Sequence, residues 1–381
     1  MAGSKKLFFP NLDGLRFVAF FMVFLWHSIR RPFELLHIDN IYLDKLFYLF
    51  VNGKTGVSIF FVLSGFLITY LILSEIQLNG RLDVIKFYIR RTLRIWPLYF
   101  LLLVLIFGVM PLLMQRFHQN WSEFNMQPWY YFAFLSNFDV LHIYLTNGKD
   151  LLASTVTWSV AIEEQFYLVW PLLFAFLHRS LYKFIFPALV ILCYTFRWLH
   201  AGNESILYYH TLSVCGDLAL GGWAAYLSFY NLSFLNFFKK QTNMQRALFY
   251  GTAIVLLYAI QFGAHPLFAV FNRLVQTLFF CYIILDQNFN AQPKAKFSKN
   301  KFMTFWGKYT YGLYLWHAFV MMILTVTASK GLHFSLESFG VNALIAVLGF
   351  GCSLAVSYYS YHWVEARFLQ LKDKFSFIHK Q

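Results

Sequence analysis

The chain has 381 residues, 59% of them hydrophobic, 22% aromatic and only 13% charged, where soluble domains carry about 25% charged residues. With a mean hydropathy of +0.54, this excludes a soluble globule, and repeated apolar stretches of roughly 16–25 residues predict an all-α, polytopic bundle of membrane-spanning helices. The formal net charge of +14 does not point to nucleic acid, because the basic residues cluster between spans, where topology and anionic headgroups account for them.

Spans are predicted near residues 14–30, 56–75, 95–114, 163–178, 183–200, 210–229, 247–263, 267–285, 308–328 and 340–364. No small-residue cleavage site follows the first apolar stretch, so it reads as a retained span rather than a signal. The segment "WYYFAFLSNFDVL" (Trp129–Leu141) is short and carries Asn137 and Asp139; it is expected to dip in without crossing. Lys5 and Lys6 put the start of the chain inside. With that partial helix, "RLDVIKFYIRRTLR", "LHRSLYK", "FFKKQTNMQR", "QPKAKFSKNKF" and the tail all fall on the inner side, while "LHAGNES" and "ASKGLHFSLES" fall outside. The expectation is about ten crossings, both termini cytoplasmic and one domain over 1–381, without 20–50-residue repeats. Cys193, Cys215, Cys281 and Cys352 lie in apolar stretches without CxxC spacing and read as small hydrophobes, not as a disulfide framework or a metal site.

The first span carries Asp13, Arg16 and His27. Arg16 and His27 are eleven residues apart, close to three turns and roughly 16 Å of rise, and so look in nearly the same direction from different depths. Arg16 can snorkel or pair with Asp13 at i, i+3, and His27 can be a core histidine satisfied by a carbonyl or a proton acceptor. Ser64 and Gly65 in "GVSIFFVLSGFLI" suit close helix packing. In "RLDVIKFYIRRTLRIWPLYF", Lys86, Arg90 and Arg94 form one stripe with Arg91 beside it, on a helix expected at the inner interface before a span that begins at Pro97. That stripe suits either lipid headgroups or a phosphorylated cytosolic ligand.

"TWSVAIEEQFYLVWPLL" places Glu163 and Glu164 about 100° apart on a helix, with Tyr167 one turn on and Trp158 and Ser159 just before. An intramembrane carboxylate is expensive without a partner. The expected topology puts these glutamates level with His27, so one of them is expected to orient its imidazole; a structural ion pair or a macrodipole-favoured acid is the alternative. Asp217, His317, and Glu365 with Arg367 read as structural pairs or interface anchors.

"LDGLR" with the histidine of "FLWH", "GVSIFFVLSGFLI", "FYIRRTLRIWPLYF" and "TWSVAIEEQFYLVWPLL", in this order, resemble the acyltransferase-3 family of membrane O-acyltransferases that modify bacterial surface glycans. Weaker similarity continues through "GDLALGGWAAYL" and "YGLYLWH". Many members carry an acid where this chain has Ser58, and some append an extracytoplasmic SGNH hydrolase-like domain, for which this chain is expected to be too short. The resemblance implies acyl-CoA, usually acetyl-CoA, as cytosolic co-substrate, and a glycan or glycolipid acceptor at the bacterial cytoplasmic membrane. It implies His27 as the essential histidine, and the "LDGLR" arginine as Arg16. The basic motif falls on Arg90, Arg91 and Arg94, and the "WSxxxEEQFY" block on Trp158, Ser159, Glu163, Glu164 and Tyr167.

The expected mechanism holds the CoA phosphates with Arg90, Arg91, Arg94 and Lys86 and threads the pantetheine along the Arg16 face to His27. His27 is then general base, positioned by Glu163 or Glu164, with Asp13, Ser64, Trp158, Ser159 and Tyr167 supporting. An acyl-histidine relay is a second route. No metal is needed, because a thioester is already activated. The rival class is a proton-coupled transporter or flippase, against which stands the lack of paired inverted halves.

Overall fold

The computed structural model describes residues 9–37, 40–116, 123–148, 152–263, 265–290 and 296–375. Lys5, Lys6, Lys294 and the tail beyond residue 375, on which the expected orientation draws, lie outside the described residues. In hydrocarbon every backbone N–H and C=O needs a partner within its own segment, and helices supply it. Ten long helices cover the ten predicted spans: α1 (Pro10–Glu34), α2 (Gly53–Asn79), α3 (Val84–Val104), α4 (Thr157–Phe176), α5 (Tyr182–Leu199), α6 (Thr211–Tyr230), α7 (Asn243–Ile260), α8 (Leu267–Phe289), α9 (Thr310–Val326) and α10 (Phe339–Ser360). Among the described residues, eight helical stretches are long and apolar enough to cross a membrane, and α4 and α7 are not in that set. Glu163 and Glu164 dilute the apolar run of α4, and Asn243, Gln245 and Arg246 that of α7.

The Trp129–Leu141 segment forms two short helices, Pro128–Phe132 and Ser136–Leu145. The longer one rises about 15 Å, half of a ~30 Å hydrocarbon core. Its buried Asn137 is satisfied locally: the side-chain amide donates to the Tyr209 carbonyl and the Thr211 hydroxyl, and accepts from Gln165.

Helix ends follow from local chemistry. The Asn52 side chain accepts the Lys54 N–H to start α2, Gly80 ends it at a left-handed φ of 77°, and the Asp83 carboxylate then caps α3 by accepting the Lys86 N–H. One expectation is corrected here. The basic stretch is not a separate interfacial helix, because α3 runs unbroken from Val84 to Val104 with Pro97 inside it. Neighbouring helices let spanning helices absorb a proline, so the arginines become the first half of a spanning helix and reach into the bundle.

The bundle is held by close backbone approach and by paired charges. α2 and α6 share the most extensive helix contact; a Cβ on Gly65 would run into the Leu218 carbonyl, and one on Gly221 into the Val62 carbonyl. The Arg246 guanidinium clasps both oxygens of Asp286 at 2.7 and 2.8 Å, joining α7 to α8. Arg273 pairs with Asp217 at 2.6 Å, joining α8 to α6, so Asp217 is a structural pair, as expected. The Ser58 hydroxyl donates to the same carboxylate at 2.6 Å; an acid at this position would set two carboxylates face to face. All four cysteines are free, and Cys193 on α5 and Cys215 on α6 bring their thiols within 3.0 Å, although 22 residues separate them.

Overpacking a tight contact costs about 1–3 kcal/mol. Gly65→Leu is therefore expected to lower the melting temperature in detergent by several degrees. Gly251→Leu on α7, where a Cβ meets nothing within 4 Å, is expected to leave it unchanged.

Candidate functional site

A cavity of about 640 Å³ opens among α1, α2, α3, α4, α9 and the end of α10, within the roughly 300–1,000 Å³ common for ligand sites. Six residues expected at the site line it on three of these helices: Asp13 and Arg16 on α1, Ser64 on α2, and Ser159, Glu163 and Tyr167 on α4. From the basic stripe it takes Arg91 and Arg94.

Lys86 and Arg90 are engaged elsewhere. Lys86 is exposed and pairs with Asp83 at 3.2 Å. The Asp83 carboxyl is held below the usual carboxylate range, chiefly by the Lys86 backbone N–H. Arg90 donates to Glu75 at 2.7 Å and to the Phe375 carbonyl at 2.9 Å. The Glu75 side chain is only 2% exposed and also accepts the Asp83 N–H. Neither Lys86 nor Arg90 lines the cavity. Arg91 and Arg94 form no carboxylate ion pair among the described residues. The Arg91 guanidinium lies instead over the rings of Phe87 and Tyr167, at 5.7 and 5.4 Å. Arg16 keeps the expected ion pair with Asp13, and Arg94 acts electrostatically on both Arg16 and Arg91. Three guanidinium groups around one cavity, Arg91 and Arg94 outside any carboxylate ion pair among the described residues, suit an anionic ligand beside the Asp13, Glu163 and Glu365 carboxyls that share the lining.

The two glutamates separate as their 100° offset requires. Glu163 accepts from the Ser64 hydroxyl at 2.8 Å and the Tyr167 hydroxyl at 3.0 Å. Glu164 accepts from the Trp96 indole at 2.9 Å and does not line the cavity. Neither hydrogen-bonds or ion-pairs with His27 among the described residues, so the expected glutamate–histidine pair is not formed. The assumption of equal depth fails because Glu163 sits about a turn and a half inside α4, towards the arginines. Trp158 is buried against Phe61 and Tyr208, with ring centroids at 5.9 and 4.7 Å, and supports the wall from behind.

His27 packs instead on His317 of α9, with ring centroids 5.5 Å apart. Between this pair and the cavity stands Tyr314, whose hydroxyl hydrogen-bonds the Ser159 hydroxyl at 2.7 Å and whose ring lies 5.8 Å from His317. Tyr314 lines the cavity and His27 does not. Tyr311 and Tyr314, not singled out from the sequence, also line the cavity, as does Glu365, read from the sequence only as a structural pair or anchor. The first two recur with His317 at three-residue spacing in "YGLYLWH", a helical-face signal that could have found them. Glu365 sits in a π-helical turn, Tyr361–Glu365, which continues α10 and turns both ends of this segment to the cavity. It is buried with Oε1 unpartnered, while Arg367 is exposed, so no Glu365–Arg367 pair forms.

The fold and cavity define a multi-pass helical membrane protein with an internal, arginine-lined site. The acyltransferase-3 pattern, described as an acyltransferase domain, matches residues 9–362, and the chain belongs to that family. It is 28% identical over 407 aligned residues to the peptidoglycan O-acetyltransferase OatA of Listeria monocytogenes, covering 99% of this chain and 60% of that protein. It is 27% identical over 331 residues to the O-acetyltransferase OatA of Staphylococcus aureus, covering 81% and 50%. The chain thus spans between half and three-fifths of the length of these curated relatives. No solved structure matches it.

Removing one partner of a buried ion pair costs about 3–5 kcal/mol. Arg90→Ala, which strands Glu75, is expected to lower the detergent melting temperature clearly. Arg94→Ala, exposed and outside any ion pair, is expected to leave it within a degree or two.

Proposed function

We propose that the protein is a membrane O-acyltransferase that takes an acyl group, acetyl in the first instance, from acyl-CoA at the cytoplasmic face. It delivers that group to a hydroxyl of a lipid-linked or extracytoplasmic glycan, in a bacterial cytoplasmic membrane with both chain termini inside. The observation that carries this reading is the cavity. Arg16, Arg91 and Arg94 line it at the ends of α1 and α3 that the charge distribution assigns to the cytoplasm. Arg91 and Arg94, outside any carboxylate ion pair among the described residues, suit the paired acceptor oxygens of the CoA phosphates. Family membership and the names of the relatives support acyl transfer to oxygen, and the Listeria relative's name favours a cell-envelope glycan as acceptor.

The pantetheine arm then runs along α1 from Arg16 towards the Tyr314–Ser159 hydrogen bond, and the thioester passes that bond to reach His27. His27 accepts the acceptor's hydroxyl proton as its oxygen attacks the carbonyl carbon. The tetrahedral intermediate collapses with cleavage of the C–S bond. The CoA thiolate, conjugate to a thiol of pKa about 8.5, leaves and takes the proton from the imidazolium. Glu163 holds the Ser64 and Tyr167 hydroxyls on the cavity wall and balances part of the arginine charge.

General base catalysis contributes about 10²–10⁴ in rate. His27→Ala is therefore expected to lose acyl transfer at least 100-fold while still binding CoA in a detergent thermal-shift assay; undiminished transfer removes His27 from the mechanism. Arg91→Ala and Arg94→Ala are each expected to weaken CoA about ten- to a hundredfold, in line with charged hydrogen bonds of about 1.5–3 kcal/mol. An unchanged dissociation constant in both would return the stripe to lipid headgroups. A proton-coupled transporter has no reason to bind CoA at all.

A further inference from the structure

His317 is fully buried, at 0% exposure. Its Nδ1 lies 2.7 Å from the Tyr314 carbonyl oxygen and 3.2 Å from that of Leu313. Carbonyl oxygens only accept, so Nδ1 carries the ring proton, and in the neutral imidazole Nε2 is then a bare acceptor. That Nε2 is buried with no hydrogen-bond partner. A buried acceptor left without a donor is costly, so a donor belongs opposite it.

The rings packed on His317 narrow the choice. Phe20 and Phe24 approach at 5.7 and 6.4 Å with tilted, edge-type geometry and offer no polar hydrogen. The Tyr314 hydroxyl is engaged with Ser159. His27 remains, half-buried, 5.5 Å away, and with no hydrogen bond of its own among the described residues.

We infer that His317 is the positioning residue for His27: its Nε2 accepts the His27 ring N–H and so turns the opposite, unprotonated nitrogen of His27 towards the acceptor hydroxyl. This rests on the reading of His27 as general base, and it gives that base the orienting partner which neither glutamate supplies. The two-residue logic is that of an imidazole whose far N–H is held by an acceptor so that one tautomer dominates. Here the acceptor is a neutral imidazole, itself locked by the backbone of α9, rather than a carboxylate. When His27 takes the acceptor's proton, the imidazolium keeps its hydrogen bond to His317, and no proton needs to move between the rings. An uncharged partner also avoids placing a second ionised group in a wall of phenylalanines.

The test measures CoA release from acetyl-CoA by the full chain, in membrane vesicles from bacteria that express it, so that the native acceptor is present. His317→Phe and His317→Leu remove the acceptor atom. Each is expected to lower kcat about 100-fold with KM for acetyl-CoA within twofold of the unaltered protein. His317→Gln, whose side-chain oxygen can stand near the Nε2 position, is expected to recover at least tenfold over His317→Phe. CoA thermal shifts in detergent report whether each variant folds. Two results overturn the inference: His317→Phe or His317→Leu turning over within threefold of the unaltered protein, or a folded His317→Gln no faster than a folded His317→Phe, which would mark a packing role alone. His27→Ala separates the two levels. If it is inactive while His317→Phe is active, only the positioning role falls; if it is itself fully active, the base assignment falls and the positioning role with it.

Discussion

Charge in a hydrocarbon-embedded bundle must be paired, or else must face a water-filled or ligand-filled space, and this constraint sorts the ionisable residues of this chain into two populations. Arg246 with Asp286, Arg273 with Asp217, and Arg90 with Glu75 are closed pairs that tie one helix to another. Outside these pairs, three ionisable groups meet at one cavity. Arg91 and Arg94, outside any ion pair among the described residues, and Glu365, with one oxygen unpartnered among them, all line the same cavity. A bundle can hold such groups only where something else solvates them, and for the two arginines a negatively charged ligand would do so.

α1 is the element on which the site is laid out. Its Arg16 lies at the cavity and its His27 packs on His317 beyond it, about 16 Å apart along a rigid helix. The separation suits a reaction whose donor enters from one compartment and whose acceptor waits in the other. The Tyr314–Ser159 hydrogen bond stands between the two ends. α9 thereby carries two consecutive elements of the site, the tyrosine at the cavity end and, one turn further on, the histidine behind His27.

The helices were legible because period, length and apolarity act locally, and the failure of Trp129–Leu141 to cross could be read from its length and its two polar residues. The site was only partly legible. Arg16, Ser64, Arg91, Arg94, Ser159, Glu163 and Tyr167, singled out one helix at a time, line one cavity. Lys86 and Arg90, indistinguishable by spacing from their neighbours, turned out to be engaged by Asp83 and Glu75. A stripe of like charges on one helix says nothing about which members meet an acid from another. His317 and Glu365 were read as anchors because each is an isolated ionisable residue in its own span, and their significance lies wholly in what faces them.

From sequence alone came the class of molecule, the family blocks, and the set of residue types able to bind phosphate and move a proton, because these depend on composition and on order along one helix at a time. Partnership was decided by tertiary structure: His27 with His317 rather than with a glutamate, Glu163 with Ser64 and Tyr167, Cys193 beside Cys215. The physical reason is that each pairing is set by the depth and rotation of two helices relative to each other. A shift of one residue in either turns a side chain by 100° and moves it 1.5 Å, and no spacing within a single helix encodes that offset.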